Sequence, residues 1–219
     1  MKDAPAVQNV ASIIKLYPQE KLTIVVSAMG KTTNKLEAIM EALWKKEEDS
    51  FNEKVADIRA CHKAIMQDLF ASESHPIFKE VDALVDELQA KFPIPANDTY
   101  DFTYDHIVST GEILSTKIIS AHLADEGIKS SWADARTLVQ TNHKFREGEI
   151  DWRSTEEKIE KRFIPVFEDV DVQVTQGFIG HTSNGQTTTL GREGSDFSAG
   201  IFAYCTKAES VTIWKDVPG

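Results

Sequence analysis

The segment Thr187-Thr188-Thr189-Leu190-Gly191-Arg192-Glu193-Gly194-Ser195-Asp196 carries the strongest chemical signal in the chain. Gly191 and Gly194 let the backbone come close to a bound molecule, and a helix starting at Ser195 or Asp196 would turn unpaired N–H groups toward an anion. Arg192 adds a planar, two-toothed donor suited to a carboxylate or a phosphate. The same residues would also make an ordinary turn. Their spacing is neither a Walker loop nor a Gly-x-Gly-x-x-Gly fingerprint, which disfavours a P-loop NTPase or a dinucleotide dehydrogenase.

Two further groups could join it. Ser27-Ala28-Met29-Gly30-Lys31-Thr32-Thr33-Asn34 offers hydroxyls at Ser27, Thr32 and Thr33 and a cation at Lys31, or simply a polar loop before a helix. Glu112 follows Gly111 among the small hydroxylic residues Ser109, Ser115 and Thr116. It reads either as a solvated helical residue or, beside a glycine that admits another backbone, as a partner for an ammonium group.

The elements that position these groups follow from periodicity. Val7, Val10, Ile13 and Ile14 mark a helix over 7–16 that Pro18 closes, and Leu22 to Val26 is an unalternating β-branched run expected to be a strand buried on both faces. A highly charged helical region spans about 35–91, with apolar stripes Val55/Ile58/Cys61/Ile65/Leu69 and Ile77/Val81/Leu84/Val85/Leu88 broken at Ser74-His75-Pro76. These stripes predict two amphipathic helices paired as a hairpin on the core; an interface helix for a partner subunit would use the same stripes. Beyond the connector Phe92 to Asp98, the pattern predicts a helix over 104–123, a strand over Ser130–Ala135, a helix over 154–164 and a strand over Val170–Ile179. A turn-rich loop over Gly185–Gly194, a helix over Ser195–Thr206 and a last strand over Val211–Trp214 complete it. Alternating strands and helices imply a mostly parallel open sheet covered on both faces, with ligands at the carboxyl ends of its strands.

Composition narrows the classes. The 219 residues carry 35 acidic against 24 basic side chains, a net charge of −11, so a broad basic face for nucleic acid is not expected. No run approaches the ~20 apolar residues of a membrane span, and no secretory signal precedes the first helix. Cys61 and Cys205, far apart and without metal-ligand spacing, read as reduced thiols in the core of a cytoplasmic protein.

Five segments in order resemble the aspartate kinases of the amino acid kinase family: Val25 to Asn34; Ser109-Thr110-Gly111-Glu112-Ile113-Leu114-Ser115-Thr116; Asp134-Ala135-Arg136; Thr175 to Gly180 with Thr187 to Asp196; and Ile213-Trp214-Lys215-Asp216-Val217-Pro218-Gly219. The resemblance runs from near residue 7 to the last residue. It implies one catalytic domain over 1–219, a three-layer αβα sandwich truncated at both ends. It also implies ATP-dependent phosphorylation of the L-aspartate β-carboxylate to 4-phospho-L-aspartate, on the route to lysine, threonine and methionine. On this resemblance Arg192 would hold the substrate α-carboxylate and Glu112 its ammonium, with Ser27, Thr33, the Phe178 backbone and Ser195 completing the pocket. Asp196 would organise the catalytic cations, Gly191 and Gly194 would approach the nucleotide phosphates, and Lys215 with Asp216 would lie beside the nucleotide. Mg2+ would ride chiefly on the ATP phosphates rather than on a protein cage. A homo-oligomer is expected for the full-length protein.

Departures temper the expectation. The family's Lys-Phe-Gly-Gly-Thr-Ser loop does not precede Ala6, and the chain stops at Gly219 before a second phosphate-binding lysine and the regulatory ACT domains. These residues alone are therefore expected to be poorly active. Glu193 stands where many relatives have glycine and Lys215 where many have threonine; the Glu193 side chain is tolerable there only if it points to solvent. A sister kinase of the family, or a non-catalytic binding or assembly module, are the alternatives.

Overall fold

The structure, a computed structural model, describes residues 2–18, 20–191 and 193–214. At its centre three parallel strands run in the order β1 (Leu22–Val26), β4 (Val172–Gln176), β2 (Ser130–Ala133). A second small sheet joins β3 (Gln140–Thr141), β5 (Ile179–Thr182) and β6 (Thr187–Thr189), with β3 parallel and β6 antiparallel to β5.

Alternation along the strands makes the layers. Val172 and Val174 of β4, with Leu22, Ile24 and Val26 of β1, face one apolar core, whereas Val25 of β1 and Ala133 of β2 face the other. The first core is covered by α1 (Ala4–Ile14), α2 (Thr32–Trp44), α3 (Glu48–Leu69), α4 (Pro76–Gln89), α5 (Tyr100–Val108) and α6 (Thr110–Asp125). The second is covered by α8 (Gly194–Thr206) and by α7 (Trp152–Lys158) with the turns that follow it. Helices on both faces of a mostly parallel sheet form the expected α/β sandwich.

Local chemistry explains most boundaries. Asp3 caps α1 by accepting the Ala6 N–H, and Thr99 caps α5 by accepting that of Phe102. The two stripes of the charged region become α3 and α4, packed side by side; Pro76 starts α4 in its first turn. Helix α6 is buried on almost every side, from Gly111 through Thr116 and on to Leu123. It is the helix that carries Glu112 into the interior.

Several expectations need correction. Strand β1 is only half-buried except at Val26, because β4 and not β1 is the central strand, buried at all five residues. The helix over 104–123 is two helices joined at Ser109, where the Ser109 and Thr110 hydroxyls both donate to the His106 carbonyl and compete with the helical ladder. The strand over 170–179 breaks after Gln176, where Phe178 adopts φ +70° and sends the chain into β5. The helix over 154–164 continues past Lys158 as a wider turn through Phe163, before Pro165 tightens it. The loop over 185–194 contains β6, and Val211–Trp214 is exposed chain, not strand. Cys205 is buried, which pushes its thiol up to about 11, but Cys61 is half-buried and accepts a hydrogen bond from Lys35 Nζ at 2.8 Å.

Candidate active site

The carboxyl ends of β1 and β4 lie side by side, with the Gly177 N–H donating to the Val26 carbonyl at 2.9 Å. Directly beyond them opens a cleft of about 1070 Å³. Ser27 leaves β1 at its floor, Thr33 faces it from the first turn of α2, and Glu112 enters from α6. Phe178 borders it after β4, and Gly191, Gly194, Ser195 and Asp196 close the side that leads into α8.

Glu112 is 2 % exposed. Its Oε1 accepts the Ala28 N–H at 3.3 Å, and its Oε2 has no hydrogen-bond partner among the described residues. Burial pushes this carboxyl up to about 8, against the backbone N–H groups of Ala28 and of Glu112 itself, which favour its charged form. Gly111 makes the approach possible: a Cβ there would stand 2.9 Å from that of Ala28 and 3.0 Å from Leu36 Cδ1. A larger residue would push α6 away from the β1–α2 loop. Ser115 reinforces that contact by donating to the Ser27 carbonyl at 2.9 Å.

The opposite wall is built by equally close packing. A Cβ on Gly177 would stand 2.8 Å from Ser195 Cα, so the turn after β4 and the start of α8 touch through backbone. Both backbone groups of Phe178 are engaged: its N–H donates to Ser198 Oγ at 2.9 Å and its carbonyl accepts from Leu190. Helix α8 begins at Gly194, preceded by Glu193 in the left-handed conformation at φ +59° with its residue exposed. That backbone conformation suits glycine and explains why the loop can otherwise accept glycine there. Asp196 lies in the first turn, where the helix dipole favours a negative charge.

Eight of the residues expected from sequence therefore meet in one cleft: Ser27, Thr33, Glu112, Phe178, Gly191, Gly194, Ser195 and Asp196. Arg192, Lys215 and Asp216 lie outside the described residues. Sequence reasoning missed the third wall, formed by α5 and the loop 143–147. Tyr104 donates to Glu37 Oε1 at 2.7 Å and carries the Arg146 guanidinium 4.5 Å above its ring. Burial and the Glu37 carboxylate push the Tyr104 hydroxyl well above its ordinary value. Asp105 is fully buried beneath this wall, which pushes its carboxyl up to about 6. No local signal marks Asp105 in the sequence; its burial arises where β6 and the loop 143–147 fold over α5.

The model of the amino acid kinase family matches residues 1–219. The chain belongs to the amino acid kinase family. Within that family it is 33% identical over 217 residues to the lysine-sensitive aspartokinase 3 of Escherichia coli K12, across 99% of this chain and 47% of that protein. A bifunctional aspartokinase/homoserine dehydrogenase 1 of maize is 31% identical over 224 residues, across 100% of this chain and 24% of its own length. The crystal structure of E. coli aspartokinase III in complex with aspartate and ADP superposes with a TM-score of 0.90 at 32% identity, across 99% of this chain and 47% of that one. The chain thus spans about half the length, or less, of the curated relatives it matches. No helix among the described residues is long and apolar enough to cross a membrane.

Proposed function

We propose that the cleft is the L-aspartate site of an aspartate kinase, the activity that transfers the γ-phosphoryl group of ATP to the substrate β-carboxylate. The observation that carries this reading is Glu112, a buried carboxylate with one oxygen committed to backbone and the other orphaned at a polar cleft. An orphaned buried carboxylate oxygen is costly, and an ammonium group supplies both the missing hydrogen bond and the missing charge. That E. coli aspartokinase III was crystallised with aspartate and ADP, and that the fold here is so close to it, supports the same ligands.

In this reading Glu112 receives the α-ammonium and Arg192 the α-carboxylate, while Ser27, Thr33 and Ser195 frame the side chain beside Phe178, whose N–H is held by Ser198 and whose carbonyl keeps one lone pair for a donor. Discrimination then comes from length: a substrate longer by one methylene would misplace its terminal carboxylate. The β-carboxylate is ionised at neutral pH and needs no general base. Its oxygen forms the new bond to the γ-phosphorus as the bond to the departing ADP oxygen breaks, so the protein supplies mainly position and charge balance. Gly191, Gly194 and the α8 N-terminus fit a phosphate-facing surface, and Lys215 with Asp216 are assigned to the nucleotide by the family resemblance alone. Mg2+ bound on the phosphates supplies charge neutralisation, and Asp196 is the carboxylate that would orient it. The working compartment on this reading is the cytoplasm and the full-length protein a homo-oligomer.

The test is calorimetric titration of L-aspartate and L-glutamate into the full-length protein and its Glu112→Gln variant. Binding of aspartate that fails for glutamate and is lost in the variant is expected. Equal binding of aspartate by both proteins would remove the role given to Glu112.

A further inference from the structure

Among the described residues, Asp105 is the one fully buried carboxylate below the cleft that no step above employs. Three donors converge on it. Its Oδ2 accepts the Arg146 N–H at 2.8 Å and the Thr189 N–H at 3.0 Å, and its Oδ1 accepts the Thr189 hydroxyl at 2.7 Å. The Arg146 guanidinium does not join them; it points outward to Asp101 at 3.3 Å and to the Tyr104 ring. A buried charge held by backbone N–H groups fixes the position of main chain, not of a side-chain partner.

The two segments so fixed are the two that shape the cleft's far side. Thr189 ends β6 and leads directly through Leu190 and Gly191 to Arg192 and the start of α8. Arg146 holds the loop 143–147 in place at φ +67°, and its carbonyl lies 3.4 Å from where a Gly191 Cβ would be. The Gly148 N–H closes the arrangement on the Thr189 carbonyl at 2.8 Å. Asp105 sits seven residues before Glu112, so one stretch of chain, α5 into α6, anchors both sides of the cleft. Thr189 is itself fully buried, and its hydroxyl is spent on Asp105 rather than offered to a ligand.

We propose that Asp105 is a positioning residue: by latching the end of β6 and the loop 143–147 it sets the distance between the Gly191–Gly194 loop and Glu112, and so the fit of the amino-acid substrate. The proposal rests on the aspartate-kinase reading for its kinetic form and deepens that reading at the same site. Misplacement of about 1 Å at a reacting centre costs as much as about 100-fold in rate. Because on this reading the latched loop carries Arg192 toward the α-carboxylate and Gly191 and Gly194 toward the phosphates, such a latch should weigh on both substrates.

The experiment compares D105N, T189V and T189S in the full-length protein. Asparagine removes the charge and one of the two acceptor oxygens, so that an NH2 must face either the two N–H donors or the Thr189 hydroxyl and the charge-assisted bonds are weakened; valine deletes only the hydroxyl bond while keeping shape, and serine restores it. Expected are a rise of about tenfold or more in KM for L-aspartate in D105N, a smaller rise in T189V and near-normal values in T189S, with KM for ATP moving in the same order because Gly191 and Gly194 of the latched loop face the phosphates. Simple loss of folded protein would lower kcat and leave KM alone. A KM for aspartate within twofold in folded D105N, or T189V indistinguishable from T189S, would overturn the latch. Amide hydrogen exchange separates the two claims: faster exchange at Arg146, Thr189 and Leu190–Gly194 in D105N is expected whatever the substrate, and unchanged exchange there refutes the latch. Wild-type protein without aspartate-dependent ADP release would instead refute the aspartate-kinase reading.

Discussion

Replacing Glu112 by glutamine should separate its cost to the fold from its use to the site. With the carboxyl pushed up to about 8 from an ordinary value of 4.5, the folded chain holds a proton that the unfolded chain releases over that interval. Below about pH 4.5 both states are protonated and Glu112 adds no penalty; the penalty grows as pH rises and is complete above about pH 8. At about 1.4 kcal/mol per pH unit the ceiling approaches about 5 kcal/mol, and relaxation with water entry makes roughly 3 kcal/mol the working figure. Glutamine cannot titrate, so the stability of E112Q relative to wild type should climb by roughly 3 kcal/mol between pH 5 and pH 8. Urea unfolding of both proteins at pH 5, 6.5 and 8, without ligand, measures this difference. Asp105 contributes a slope of the same sign near pH 4 to 6, but it is present in both proteins and cancels. Saturating L-aspartate should stabilise wild type most at pH 8 and leave E112Q unmoved. A gap between the two proteins that stays constant within about 0.5 kcal/mol from pH 5 to pH 8 would refute the argument from burial.

Further outcomes follow from other parts of the molecule. Gly177→Ala should cost about 1–3 kcal/mol and abolish aspartate-dependent turnover, since its Cβ would meet the backbone of Ser195 at 2.8 Å; chemical unfolding and an ADP-release assay check both halves. Phe51→Ala, in the core between the helices, should cost about 3–5 kcal/mol by thermal or urea unfolding. Arg59→Ala removes ion pairs to Asp82 and Asp86 on the exposed face of the α3–α4 hairpin and should change stability by less than about 1 kcal/mol. His62 and His122 are buried, which holds both below their ordinary value of 6.5. Their neutral form is favoured in the fold, so stability should fall as pH drops below about 6.5, and His62→Gln should lessen that fall in acid titrations followed by circular dichroism.

The legible parts of this protein were those in which a sequence signal and a packing demand coincide. The β-branched run Leu22–Val26, the two stripes of α3 and α4, and the polar loop after β1 each state their own geometry. The constellation Ser27, Thr33, Glu112, Gly191, Gly194 and Ser195 is gathered by the resemblance to the aspartate kinases; read locally, each residue fits an ordinary loop, turn or solvated helix face as well as a ligand site. Less legible were features that tertiary packing decides. Nothing local says that β4 rather than β1 is central, so the burial of β1 was overread. The breaks at Ser109 and Phe178 depend on hydroxyl competition and on a left-handed residue, neither of which interrupts the apolar periodicity. Asp105 looks like any acidic residue in an amphipathic helix until β6 and the loop 143–147 fold over it. Val211–Trp214 has strand propensity but no strand partner among the described residues.

The most direct test of the central claim is ADP release by the full-length protein with Mg-ATP, measured with L-aspartate, with L-glutamate and with no amino acid, in wild type and in Arg192→Ala and E112Q. The account predicts release that requires aspartate, is at least about tenfold weaker with glutamate, and is lost in both variants while they remain folded. Release that ignores the amino acid offered, or that survives both substitutions, would contradict it.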